Sequence, residues 1–466
     1  MRHSSHLHLH FHTHHRAARY DVDMTKGSIT KHLINFALPL MVGNLFQQLY
    51  NMVDTWVVGN YVSNEAFSAV GTVTPIINTL IGFFLGLSSG AGVVISQYYG
   101  AGREDKVRQA VHTSLVLTLL MGAVFTAAGI AMTPLMLRLM KTPAEVAPEQ
   151  TTYLTIYFAG VMGLLLYNMG SGILRAVGDS RRPLYFLVFS AVINTALDLI
   201  FVVVLGMGVE GVAYATIIAQ FLSALLTLFV LTRDHAPYGI HWNRLCIDLP
   251  TLKRIISIGL PSGIQQAITS FSNVFVQGYI NFFGSACMAG WSSYNKLDAF
   301  TLIPMQAIAM ASTTFVGQNY GAREIDRARK GVRDAQILSI SITILCSVVM
   351  VAFARPLSTM FSNEKEVLDF SQHFITLQAP FYFLMCYNQT YSGALRGVGK
   401  STIPMLLMLF SFVLFRQTYL FVIKNFFGNP LTGIAVAYPV GWAMCSLLLT
   451  IYYRTTILGK RSAAPP

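Results

Sequence analysis

Long apolar runs, each of the length needed to cross a bilayer, alternate with short polar turns along nearly the whole chain. A bilayer core takes about 20 mostly apolar residues per helix, and longer helices tilt. Twelve such stretches can be drawn, at residues 32–59, 66–98, 108–135, 151–174, 183–206, 210–232, 252–283, 286–318, 333–354, 369–394, 402–427 and 432–454. The widest polar break carries Arg233, Asp234, Pro237, Gly239, Asn243, Arg244, Asp248 and Pro250, and it splits the spans six and six. The pattern predicts an N-terminal six-helix lobe at 24–232, a cytoplasmic inter-lobe linker at 233–250, a C-terminal six-helix lobe at 251–455 and a cytoplasmic tail at 456–466. Residues 1–23, with seven histidines from His3 to His15 and no apolar run, read as a disordered leader ahead of Met24.

The two halves repeat. Gln97-Tyr98-Tyr99-Gly100-Ala101 returns as Gln318-Asn319-Tyr320-Gly321-Ala322, an offset of 221. Gly172-Ile173-Leu174-Arg175-Ala176-Val177-Gly178-Asp179-Ser180 returns as Gly393-Ala394-Leu395-Arg396-Gly397-Val398-Gly399-Lys400-Ser401 at the same offset, and Leu38-Pro39 matches Leu260-Pro261. One register therefore runs through both halves, which points to duplication. Because each copy has an even number of spans, both enter the membrane from the same side. The copies are then related by a pseudo-two-fold axis along the membrane normal, with a cavity between the lobes.

Composition agrees with a chain that faces lipid. Hydrophobic residues make up 54% and charged residues 11%, against about 25% charged in soluble domains, and the mean hydropathy is +0.54. A net charge of +12 would suggest nucleic acid in a soluble protein. Here 25 of the 32 lysines and arginines fall in segments on the side of the N-terminus and five on the opposite side, which places both termini in the cytoplasm of a multi-pass plasma membrane protein. The five cysteines are widely spaced and read as small apolar core residues, with no zinc or redox pattern.

Ionisable residues at bilayer depth are expensive and therefore candidates for function. Tyr50 and Asp54 lie four residues apart on the first span, and Asn194 and Asp198 have the same spacing on the fifth, so each pair shares a helix face. With Thr216 on the sixth span, they offer oxygen ligands suited to a proton or a hard cation such as Na⁺. Two sequestered carboxylates in one site can load and release a proton near neutral pH. The repeat counterparts of Asp54 are Phe275 or Val276 and those of Asp198 are Tyr419 or Leu420, so the duplicated fold does not require acids there. Gln47, Gln48, Asn51, Gln265 and Gln266 are candidates for polar cavity contacts. Lys296 and Asp298 on the eighth span and Arg416 on the eleventh complete the candidate substrate cavity. The run Ala394 to Ser401 fits a permissive phosphate-binding loop, but it follows a membrane span and its repeat copy has Asp179 in place of Lys400, so nucleotide binding is excluded. With no cofactor motif and no ATPase domain, the energy must come from an ion gradient.

Phe36-Ala37-Leu38-Pro39, Gln47-Gln48-Leu49-Tyr50-Asn51-Met52-Val53-Asp54-Thr55, Gly59, Ala69-Val70-Gly71 and the two Gln-x-Tyr-Gly-Ala copies resemble the multidrug and toxic compound extrusion family over residues 24–455. The resemblance implies an all-α membrane fold of twelve helices in two lobes around a central cleft. It also implies antiport of organic cations or other toxic, amphipathic compounds against H⁺ or Na⁺ by a non-enzymatic monomer. In one branch of that family the ion site falls on Tyr50, Asp54, Asn194, Asp198 and Thr216; a second branch places a Glu on the seventh helix and an Asp on the tenth, and this chain has no acid on the seventh span and none on the tenth beyond Asp369 at its first residue. The resemblance further implies that Pro39 is a hinge of the first helix. A flippase of the same superfamily, moving lipid-linked sugars, is the alternative, for which a more basic cleft than Lys296 and Arg416 provide is expected.

Overall fold

A computed structural model describes residues 20–62, 64–139, 147–233, 236–428 and 430–460, with the backbone alone at 51, 54–56, 58, 59, 64–76, 78, 139, 270, 271 and 274. Among the described residues the regular structure is helical. The N-terminal half comprises α1 (Ile29–Tyr61), α2 (Asn64–Gly100), α3 (Glu104–Leu139), α4 (Ala147–Ala176), α5 (Arg181–Asp198) and α6 (Val209–Arg233). The C-terminal half comprises α7 (Leu249–Asn281), α8 (Ser285–Gly321), α9 (Ile325–Ala352), the short α10 (Ala354–Ser358), α11 (Lys365–Gln378), α12 (Tyr382–Gly397), α13 (Thr402–Leu409), α14 (Arg416–Phe426), α15 (Leu431–Ala435) and α16 (Ala437–Thr455). Nine stretches among the described residues are long and apolar enough to cross a membrane, and α1, α7 and the α11–α12 pair complete twelve transmembrane helices in two six-helix lobes.

Four spans are not continuous α-helices, the twelfth being split at Val436 between α15 and α16. The fifth passes from α5 into a π-helical turn, Leu199–Val204, and the eleventh passes from α13 through a second one, Phe410–Phe415, into α14. The tenth span, expected as one run at 369–394, is broken by a 3₁₀ turn at Ala379–Phe381, where Pro380 lacks the amide hydrogen an α-helix would use.

The conserved register of the two halves has a local cause in the turns after α4 and α12. Gly178 and Gly399 sit at φ +89° and +85°, the left-handed region that glycine adopts without a Cβ clash. The Asp179 amide donates to Leu174 O and the Lys400 amide to Leu395 O, closing both helix ends in the same way. The repeat of Gly-x-x-Arg-x-Val-Gly is thus a repeated helix stop, and the phosphate-loop likeness of Ala394–Ser401 has this geometric origin.

Where the hydrophobic effect is weak, helices are held by close packing of small residues. The lobes meet through α2 against α7 and α8 and through α1 against α8 and α9. At Gly86 and Gly90 of α2, an added Cβ would overlap the backbones of Gly263 and Gly259 of α7. Across the pseudo-axis, Ala37 and Leu40 of α1 pack with Ala307, Ile308 and Ala311 of α8. These contacts lie in the half of each helix nearest the chain termini: Arg327 holds the Met24 carbonyl, and Arg329 holds the carbonyls of Ile457, Leu458 and Lys460.

Asp21 and Val22, expected within the disordered leader, are half-buried and tied to the N-terminal lobe; the Val22 amide donates to Val177 O at 2.9 Å and the Tyr99 hydroxyl to Asp21 Oδ2 at 2.7 Å. Residues 1–19 of that leader, and 461–466 of the tail, lie outside the described residues. The inter-lobe segment lies along α3, with the His241 amide 3.2 Å from His112 Nε2 and the Asp248 amide 3.1 Å from Thr113 Oγ1. Cys287, Cys386 and Cys445 are buried, but Cys346 is half-buried and Cys246 is exposed on the inter-lobe segment, so the expectation of five core cysteines fails at these two.

Candidate cation-coupling site

α1 and α5 pack together in the N-terminal lobe, and their register is fixed lower down, where Gly43 of α1 meets Leu184 and Leu187 of α5. The two helices run in the same direction. Tyr50 and Asp54 lie seven and eleven residues further along α1 than Gly43, and Asn194 and Asp198 lie seven and eleven residues further along α5 than Leu187. The side chains of Asp54 and Asn51 lie outside the described ones. Asn194 is 2% exposed and Asp198 is fully buried, in a lobe whose surroundings are apolar.

The buried face of α5 turns toward α6. Asn194 Nδ2 stands 3.5 Å from Thr216 Oγ1, and the Thr216 hydroxyl donates to Val212 O one turn back at 3.0 Å. That donation leaves the Thr216 oxygen lone pairs free to accept, which is the role a cation ligand needs. Asn194 Oδ1 has no hydrogen-bond partner among the described residues. Asp198 is the last α-helical residue before the π turn at Leu199–Val204. A π turn widens the helix and redirects the side chains beside it, a feature that recurs at functional sites. The structure thus brings Asn194 to Thr216, with Asp198 buried one turn further along α5 and Tyr50 half-buried on α1, the helix packed against α5. The set consists of oxygen and amide donors without sulfur or imidazole, which suits a proton or a hard monovalent cation. No metal-ligating cluster of His, Cys, Asp and Glu occurs among the described residues.

The candidate cavity residues separate. Gln47 and Gln48 are half-buried on α1, and Gln266 is exposed on α7 with its Cβ beside Gly82 of α2. Gln265, one residue away, is buried in the opposite direction, against Met408 and Ser392 of its own lobe. Arg416, 2% exposed, is bound within the lobe: its Nη2 donates to Ser272 Oγ at 2.6 Å and Asn273 Oδ1 at 3.0 Å, and the guanidinium lies 4.6 Å from the Tyr438 ring centre. Like Asp198 it adjoins a π turn, at Phe410–Phe415. Lys296 and Asp298 are two residues apart and point to different faces of α8. The Lys296 ammonium lies 5.2 Å from the Phe361 ring centre. Pro39 lies inside an unbroken α1.

Around Asp298 the structure adds residues that the sequence reading passed over. The Tyr294 hydroxyl donates to Gln378 Oε1 at 2.8 Å and shares a 3.1 Å hydrogen bond with the Tyr382 hydroxyl. Both tyrosines face Asp298. Gln378 Nε2 and Asp298 Oδ1 have no partner among the described residues. The signal available in the sequence was the four-residue spacing of Tyr294 and Asp298, the same as that of Tyr50 and Asp54. At the repeat counterpart of Asp54, by contrast, Phe275 lines an apolar groove of about 630 Å³ between α7 and the eleventh span, with Phe410, Leu414 and Phe421.

Comparison with known proteins follows this architecture. The MatE family model matches twice, at residues 39–200 and 261–422, once per lobe. A Bacillus subtilis protein described as "Probable multidrug resistance protein YpnP" is 30% identical over 439 residues, covering 93% of this chain and 96% of that protein. "Probable multidrug resistance protein NorM" of Thermotoga maritima is 27% identical over 440 residues, 92% of this chain and 91% of its own. A solved structure described as the outward-facing conformation of a multidrug resistance MATE family transporter of the MOP superfamily has a TM-score of 0.88 at 23% identity, covering 94% of this chain and 98% of that one. That likeness is one of fold.

Proposed function

The chain belongs to the MatE family of membrane transporters, and from that premise we propose that it is an ion-coupled antiporter exporting hydrophobic, cationic drugs or toxic metabolites in exchange for H⁺ or Na⁺. The activity is transport and needs no cofactor. The observation that carries the reading is the buried Asn194–Thr216 pair with the buried Asp198 one turn further along α5, in the N-terminal lobe and with no acidic counterpart in the repeat; Tyr50 and Asp54 on the neighbouring α1 complete the proposed site. A buried carboxylate is stabilised by pairing, hydrogen bonding, a proton or a cation, and in this reading the site is loaded with the ion in one state and releases it when water reaches it in the other. Coupling follows if the ion and the substrate favour opposite orientations of the lobes.

Both termini, with the Gln-x-Tyr-Gly-Ala turns, are assigned to the cytoplasm on the asymmetry of Lys and Arg. The lobes therefore touch on the cytoplasmic side, and the cavity opens outward. Gln47, Gln48 and Gln266 supply polar contacts for the substrate, while Arg416, held by Ser272 and Asn273, sets the charge of the C-terminal lobe without needing to meet the substrate. An Arg so engaged gives no support to the flippase alternative, which needs cationic groups free to bind a lipid-linked phosphate.

The test uses proteoliposomes with an imposed H⁺ or Na⁺ gradient and a fluorescent lipophilic cation. Uphill flux that is lost in Asp54→Asn and in Asp198→Asn is expected. Flux that survives both substitutions moves the coupling site to Asp298 or removes it from the carboxylates.

A further inference from the structure

The repeated Gln-x-Tyr-Gly-Ala motif stands where the lobes close, and its geometry is reciprocal. Gln97 Nε2 in the N-terminal lobe donates to Gly397 O in the C-terminal lobe at 2.7 Å, and Gln318 Nε2 in the C-terminal lobe donates to Ala176 O in the N-terminal lobe at 3.1 Å. The donors are 221 residues apart and so are the acceptors. The glutamine oxygens also reach the other lobe, through partners that the repeat does not relate. Gln97 Oε1 accepts from Arg254, in the first turns of α7, and Gln318 Oε1 accepts from the Met24 amide, just ahead of α1, at 2.9 Å. Each side chain amide therefore spends its donor and its acceptor on the other lobe. Both glutamines are nearly fully buried, at 3% and 0% exposure. Gly100 and Gly321 make this approach feasible, since a Cβ on either would fall inside the main-chain carbonyl of the opposite glutamine.

The chain ahead of α1 breaks the symmetry. Met24, 1% exposed, packs with Leu33 and Phe315. Its carbonyl accepts from Asn319 Nδ2 at 3.2 Å and from Arg327 Nε and Nη2 at 3.1 Å each, and Arg327 Nη2 also donates to Lys26 O at 2.9 Å. On the other lobe, Val22 pairs with Val177 and Asp21 with Tyr99. Tyr20–Lys26 thus crosses the seam and is tied to both sides of it.

The geometry points to Gln97 and Gln318 as positioning residues of the transport cycle, a two-fold amide clasp that holds this end of the lobes shut, with Tyr20–Lys26 as a strap that must detach from the C-terminal lobe before the clasp can open. The inference rests on the two-lobe transport reading above, but the clasp itself does not depend on which ion is coupled or which substrate moves.

Spin labels at Glu104→Cys and Glu324→Cys, at the starts of α3 and α9, report the clasped end in a background without native cysteines; labels at Leu205→Cys and Phe282→Cys report the opposite end. A buried hydrogen bond shifts an equilibrium roughly two- to tenfold. Gln97→Ala, Gln318→Ala and Arg327→Ala are each expected to enlarge the separated population at the clasped end by about that factor or more, with the opposite end closing in step. Gln318→Glu keeps the acceptor, loses the donor to Ala176, and is expected to act in the same direction if the alanine variants prove unstable. Arg327→Lys retains a donor for the strap and is expected to lie between wild type and Arg327→Ala. Monodisperse variants with wild-type distance distributions at both ends would overturn the clasp. An effect of the glutamine variants without one of Arg327→Ala would overturn the strap. Labelling of Glu324→Cys by a membrane-impermeant maleimide separates this result from the assignment of sides: reaction from outside would make the clasp an extracellular gate and overturn the orientation alone.

Discussion

Gly90→Ala, with Gly86→Ala as its companion, tests the seam between α2 and α7 by adding a single methyl group. A Cβ at Gly90 would overlap the backbone of Gly259 and lie 2.7 Å from Ile255 O, whereas ordinary van der Waals contact begins at 3.4 Å. Both neighbours are helix backbone, which cannot rotate away as a side chain can. The helices must separate by roughly 1 Å, and a gap of that size forfeits a quarter to a half of each dispersion contact along the seam. Overpacking of this kind costs about 1–3 kcal/mol. The seam joins the lobes rather than building either one, so the cost falls on the closed arrangement and not on folding. The gain of Ala over Gly in helix propensity is common to both arrangements and cancels. A shift of about 5- to 150-fold toward separation at the terminal end follows. Double electron–electron resonance between labels on α3 and α9 measures it. Unchanged distance distributions in a stable Gly90→Ala protein would refute the claim that the resting lobes are in backbone contact there.

Other outcomes are equally concrete. Thr216→Val removes the hydroxyl 3.5 Å from Asn194 while keeping the side chain volume; ion-driven flux is expected to fall by about tenfold or more with folding intact, as for loss of an interaction worth one decade, read by initial rates at saturating substrate. Arg416→Ala leaves Asn273 Oδ1 without that donor and Ser272 with Gln417 alone, so the melting temperature in detergent is expected to drop by an amount corresponding to about 1–3 kcal/mol. Asp248 caps α7, and the Thr251 hydroxyl and amide hold its carboxyl below the usual carboxylate range. A depressed pKa contributes stability above the unfolded value, about 3.9, that is lost as pH falls through the folded one. Asp248→Ala is therefore expected to lower the melting temperature at pH 7 and to converge with wild type at acid pH below that window.

The spans were legible because lipid-facing helices need apolar residues all round, and the two lobes because Gln97–Ala101 and Gly172–Ser180 recur at one offset. The acids of the proposed site stand out for the same physical reason: a charge in an apolar run is costly. Direction was harder to read. Gln265 and Gln266 are adjacent amides, yet one packs on Met408 and Ser392 and the other is exposed, since residue type does not report which helix face is buried. The π turns beside Asp198 and Arg416 leave no mark in an apolar sequence, because the same Leu, Ile, Val and Phe serve an α- or a π-turn. The break of the tenth span did have a signal in Pro380, and its breadth of apolar flanks hid it. Asp21 and Val22 look like linker by composition, and only their bonds to Tyr99 and Val177 of the N-terminal lobe show that they are held in place.

Ion coupling through the N-terminal lobe is the central claim, and reciprocity tests it most directly, because if the ion drives the substrate, the substrate must drive the ion. Proteoliposomes loaded with a lipophilic cation and diluted into substrate-free buffer, with no ion gradient imposed, would be followed for internal pH and internal Na⁺. The account predicts uphill movement of one of the two ions against substrate exit in wild type and none in Asp198→Asn. Substrate exit without movement of either ion in wild type, or ion movement undiminished in Asp198→Asn, would contradict it.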